Sequence, residues 1–121
     1  MSEMTVDFDL LDEIFEDRVA AVRMLQRALD RAEMLAAAIS EAAREQRPSA
    51  VQENAHQLRG MCANVGATRL AEAAGRLEGA AHAGTLTGES PLLDDLHAEL
   101  RRLARAIADA SPVGDGVSGG S

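Results

Sequence analysis

Between Asp7 and Arg47 the chain contains neither glycine nor proline. A run of that length without the two strongest breakers has few outcomes besides helix. Inside it Val22, Leu25, Leu29, Ala32, Ala36, Ile39 and Ala43 recur at alternating spacings of three and four, which places them on one stripe of an α-helix. The inventory agrees, since 24 alanines and 14 leucines stand against ten valines plus isoleucines, favouring helix over strand. The 121 residues include two phenylalanines, Phe8 and Phe15, and no Trp or Tyr. One modest core of alanine and leucine follows, with little volume for an enclosed cofactor. Any reactive group is therefore expected on the surface.

Breakers divide the rest of the chain. Pro48 ends the long run, and Pro48 or Ser49 opens a helix over residues 49–65 with Val51, Ala55, Leu58, Cys62 and Val65 inward and Gly66 as its left-handed stop. Thr68 is the expected cap of the next helix, which runs to Ala83 with Leu70, Ala74, Leu77 and Ala81 inward. Gly84 and Gly88 bracket a loop, and Ser90-Pro91 starts a last helix with Leu92, Leu96, Leu100, Leu103 and Ile107 as its apolar face. The pattern predicts an all-α fold, an antiparallel four-helix bundle over residues 7–110. It carries an additional N-terminal helix or helical extension holding Leu10, Leu11, Ile14 and Phe15, with a break near Asp17. Residues 1–6 are expected to be flexible and 111–121 to form a disordered tail. The stripe from Val22 to Ala43 reads as bundle core, so a monomer is expected. Dimerisation stays open because the first helix is long enough to overhang its partners.

The formal charge of −8 speaks against nucleic acid as a partner. Seven acids lie in residues 1–17 without a single base, so the remaining 104 residues carry thirteen acids against twelve arginines. Lysine is absent, which leaves arginine to supply any positive charge. Cys62 has no internal partner, no stretch is apolar enough to span a bilayer, and the start lacks a signal-peptide pattern. A reducing, cytoplasmic setting with no membrane contact is expected. Cys62 reads as a packed thiol, His82 and His97 as surface residues, and no metal-ligand spacing is present.

His56 stands apart. At about 100° per residue, Val51, Ala55, Leu58, Cys62 and Val65 cluster on the side of the helix away from it, so its imidazole points to solvent. Gly60 follows one turn on and Ala63 lies two turns on, almost in line. A mid-helix glycine costs about 1 kcal/mol against alanine. One beside an exposed histidine suggests clearance for a second protein. Arg59 is also within reach, and its guanidinium suits phosphoryl oxygens.

The stretch Ala55-His56-Gln57-Leu58-Arg59-Gly60, then Ala63-Asn64-Val65-Gly66-Ala67, Leu70 and Leu77-Glu78, resembles the histidine-containing phosphotransfer (HPt) domain family. The resemblance covers about 24 residues of motif, and the helix order fits the family's four-helix bundle. It implies that His56 is a phosphoacceptor, phosphorylated on Nε2, taking the group from a receiver-domain aspartyl phosphate and passing it to another response regulator. Imidazole, with a pKa of about 6.5 when unperturbed, offers a ring lone pair near neutral pH. By motif position Arg59 stands where the family has a lysine that steadies the phosphoryl group. Gly60 matches the clearance glycine, with Gln57, Ala63 and Asn64 beside it on the partner-facing surface. Glu78 matches the position from which a polar side chain orients the ring through Nδ1, and Met61 stands where the family often has serine. The resemblance further implies a phosphocarrier with no kinase activity, cofactor or metal of its own. Mg²⁺ would belong to the receiver, and partners would be response regulator receivers and a hybrid histidine kinase.

Two other readings compete. His56-Gln57-Leu58-Arg59 partly resembles the His-Glu-x-Arg of the dimeric phosphotransfer domain of histidine kinases. That plan requires an acid where Gln57 stands, and Thr or Asn then Pro where Gly60 and Met61 stand. The other is a non-catalytic helical interaction module in which His56 is incidental.

Overall fold

The computed structural model describes residues 18–110, and the expectations for the N-terminal segment, the break near Asp17 and the C-terminal tail lie outside it. Four helices form, α1 Arg18–Arg44, α2 Pro48–Asn64, α3 Thr68–Ala83 and α4 Pro91–Ala110. Each packs on its two neighbours in a closed ring, α1 against α2 and α4, α3 against α2 and α4. This is the all-α antiparallel bundle read from the spacing, built within one chain.

Three helix ends close in the same way. After α1 the Arg47 amide donates to the Ala42 carbonyl at 2.9 Å and Gln46 to Ala43 at 3.1 Å. After α2 Ala67 donates to Cys62 at 2.8 Å and Gly66 to Ala63 at 3.3 Å, and after α3 Thr85 donates to Ala80 and Gly84 to Ala81. This paired closure needs a left-handed residue. Gly66 and Gly84 supply it at φ 74° and 76°, but after α1 the position falls to Gln46 at φ 58°. Proline at the start of α2 signals the stop in sequence; the strained glutamine just before it carries no such mark. Ser90 caps α4 as expected, accepting from the Leu92 amide at 3.1 Å. Thr68 does not cap α3: it is already inside the first turn, Ala67 occupies the cap position, and no side chain bonds there.

Alanine contributes ten of the 25 buried apolar side chains, so the helices approach closely around Leu25, Ile39, Leu58, Leu70, Leu77 and Leu96. The α1 stripe faces inward along its length, with Leu29 only half-buried at its edge. On α4 the core residue is Leu93, and Leu92 packs at the rim. Leu93 lies about 20° around the axis from Leu100, whereas Leu92 lies about 80° away. The surface reading of His97 also changes: it is half-buried between α1 and α4, its Nε2 2.8 Å from Ser40 Oγ. Glu99, given no role by the sequence pattern, is 8% exposed. Arg69 of α3 reaches it with two parallel bonds of 3.1 Å and Arg102 with one of 2.6 Å, which compensates the buried carboxylate and ties α3 to α4. No helix among the described residues is long and apolar enough to cross a membrane.

Candidate functional site

The seam between α2 and α3 positions the site. Because both helices bury a stripe of leucine and alanine and run antiparallel, their flanking residues meet in rows one turn apart. In the central row His56 Nδ1 lies 3.0 Å from Glu78 Oε2. One turn toward the start of α2, Gln52 Nε2 lies 3.2 Å from His82 Nδ1. One turn the other way, Arg59 crosses above Gly75, where an added Cβ would stand 3.4 Å from the arginine Cδ. The small residue on α3 lets the Arg59 stem lie flat. Its Nε then reaches Glu78 Oε1 at 3.2 Å.

Glu78 therefore contacts both His56 and Arg59, one through each carboxylate oxygen. It is 21% exposed, against 65% for His56 and 48% for Arg59, so it is the most buried of the three. Arg59 Nη2 also lies 3.3 Å from His56 Nδ1, and these two nitrogens cannot both serve as donors to each other. The shorter contact to an acceptor-only carboxylate decides the proton: Nδ1 carries hydrogen and donates to Glu78. Nε2 is left with its lone pair directed outward.

Gly60 lies on the exposed side of α2, and a Cβ there would meet nothing within 4 Å. The fold itself therefore does not demand a glycine at this position. Gln57 leans the other way, toward α1, where its Oε1 accepts from Arg31 Nη2 at 3.4 Å. Ala63 and Asn64 are exposed in the last turn of α2, and neither enters the His56–Glu78–Arg59 cluster. Met61 is half-buried against the core and Cys62 is fully packed, where burial pushes its thiol up to about 12. An open depression lined by Ser49, Gln52, Glu53, His56, Gln57 and Glu78 runs over the histidine. Among the described residues no group of three or more His, Cys, Asp or Glu side chains could hold a metal ion.

Sequence reasoning missed Gln52, His82 and Gly75. The signal was present as spacing: Gln52 and His82 are each four residues from His56 and Glu78, so a contact in one row entails one in the next. Arrangement and bundle together suit an exposed nitrogen nucleophile with a guanidinium beside it. No match was found among curated proteins or among solved structures. The family model described as Hpt domain matches residues 23–106, most of the chain and the whole of the ring from α1 to α4 apart from its outermost turns. The chain belongs to the Hpt domain family, the histidine-phosphotransfer modules.

Proposed function

We propose that this protein is a phosphorelay intermediate, with His56 as phosphoacceptor. The observation that carries the reading is the Nδ1 contact to Glu78 at 3.0 Å on a ring that is otherwise exposed. Nε2 attacks the phosphorus of an aspartyl phosphate on a receiver domain, a P–N bond forms, and the P–O bond to the aspartate breaks to release its carboxylate. The Nδ1 proton stays in place. The phosphorylated ring is then cationic, and the Glu78 carboxylate offsets that charge. Arg59 turns from Glu78 toward the phosphoryl oxygens and holds them. Passing the group to a second receiver reverses each step, which a carrier without its own kinase activity requires. Mg²⁺ acts from the receiver side. Gly60, Gln57, Ala63 and Asn64 form the surface over which the receiver approaches.

One chain closes the four-helix ring, which favours a monomeric carrier over a plan in which two chains must pair. We place its partners among response regulator receivers and a hybrid histidine kinase, in the cytoplasm. Mixing the protein with a receiver carrying labelled phosphate is expected to give acid-labile, base-stable label on the wild type and none on His56→Gln. Equal labelling of the two, or none on either, would sink the proposal.

A further inference from the structure

The exposed face of α1 next to the histidine combines two arginines with an open apolar side chain. Arg27, Arg31, Met34 and Ala38 follow at spacings of four, three and four, so they stack along the side of α1 that leans toward α2. Arg31 meets α2 at Gln57, the neighbour of His56. Met34, at 67% exposure, is the one large apolar side chain left open among the described residues. Glu33 shares the exposed surface of α1 on the side where Ser40 meets His97, whereas Asp30, three residues from Arg27 and four from Met34, borders the same stripe without an ion-pair contact to either arginine.

Among the described residues no carboxylate lies within ion-pair distance of Arg27 or Arg31, which they share with Arg23, Arg76, Arg101 and Arg105, but of these Arg31 alone forms a hydrogen bond beside His56, at Gln57. Two guanidinium groups without an ion-pair partner among the described residues, one of them at the neighbour of His56, add positive potential to this edge of the site in a chain of net charge −8. A phosphorylated aspartate brings roughly two negative charges, within a pocket of further carboxylates. The complementarity is therefore local and directed.

We propose that Arg27 and Arg31 select receiver domains by charge, steering those whose docking face carries carboxylates beside the phosphorylated aspartate, with Met34 as the apolar contact of the same surface. This rests on the relay reading above and assigns it a specificity element outside the reacting cluster. Steering acts on encounter and leaves the bond-making step alone.

The test measures phosphotransfer from an isolated acidic-faced receiver across a salt series. The variant Arg27→Glu/Arg31→Glu should lose about tenfold in kcat/KM at low ionic strength, keep kcat at saturating receiver, and converge with wild type as salt screens the field. Met34→Ala should weaken binding equally at every salt concentration. Arg101→Glu/Arg105→Glu makes the same charge change on α4, away from the site, and should behave as wild type. Reversing carboxylates to arginine on the receiver should restore the first variant. Unchanged kcat/KM, a fall shared by the α4 variant, or a loss confined to kcat would overturn the proposal. So would wild-type binding to duplex DNA or anionic vesicles that the double variant loses while receiver transfer is unaffected. Calorimetric binding of His56→Gln to the unphosphorylated receiver separates the two ideas. Failure of transfer with salt-dependent, Arg27/Arg31-dependent binding retained would refute the relay reading alone.

Discussion

Replacing Glu78 with alanine tests its proposed part in orienting His56. The substitution removes the carboxylate 3.0 Å from His56 Nδ1 and 3.2 Å from Arg59 Nε. A hydrogen bond to a charged group contributes about 1.5–3 kcal/mol when buried. With the imidazole 65% exposed, solvent screening reduces this to about 1 kcal/mol. That energy biases the neutral ring toward the form with hydrogen on Nδ1 and the lone pair on Nε2. At about 1.4 kcal/mol per decade, its loss shifts the tautomer ratio about fivefold and cuts the reactive population by up to that factor. Maximal transfer rate should fall by up to that factor, with receiver affinity unchanged. Nitrogen chemical shifts of the His56 ring report the tautomer directly, and single-turnover transfer at saturating receiver reports the rate. Because Glu78→Ala also frees Arg59, the Arg59→Ala variant and the double variant complete a cycle that apportions the two contacts. A Glu78→Ala protein with the wild-type tautomer ratio and an undiminished rate would refute the orienting role.

Gly60→Glu should keep its helical circular dichroism, since an added Cβ meets nothing there, yet lose transfer; a normal transfer rate would remove the clearance argument. The Cys62 thiol, raised from 9.0 to about 12 by burial, should resist alkylation at pH 8 until the protein unfolds. Its sign in linkage is fixed: the unfolded thiol ionises first, so this contribution to stability is complete below pH 9.0 and is lost as pH rises toward about 12. Urea titration across that window checks it. Glu99→Ala should destabilise by about 1–2 kcal/mol in urea unfolding, below the cost of breaking a deeply buried pair because Arg69 and Arg102 can turn to water. Gln46→Gly should stabilise by about 1 kcal/mol by relieving a left-handed residue with a side chain, measured by the same titration.

Helix number, order and inward faces were legible because they depend on local spacing: a stripe such as Val51, Ala55, Leu58 and Cys62 has one way to be buried. The exposure of His56 followed from the same periodicity. Its motif was legible because the residues lie within one helix, from Ala55 to Gly60. Contacts between helices were another matter. The sequence offered Glu78 as an orienting residue only through a family resemblance. That its two oxygens divide between His56 and Arg59, with Gly75 letting the arginine lie flat, depends on how α2 and α3 are juxtaposed. Leu93 displaced Leu92 from the core because the axial rotation of α4 is set by what it packs against. Glu99 and His97 became half-buried or buried because Arg69 and Ser40, 30 and 57 residues distant, arrive there with the polar partners that make burial tolerable. Periodicity along one helix is written in a few neighbouring residues. The meeting of two helices is a property of the folded ring, and the chemistry around His56 is assembled at such a meeting.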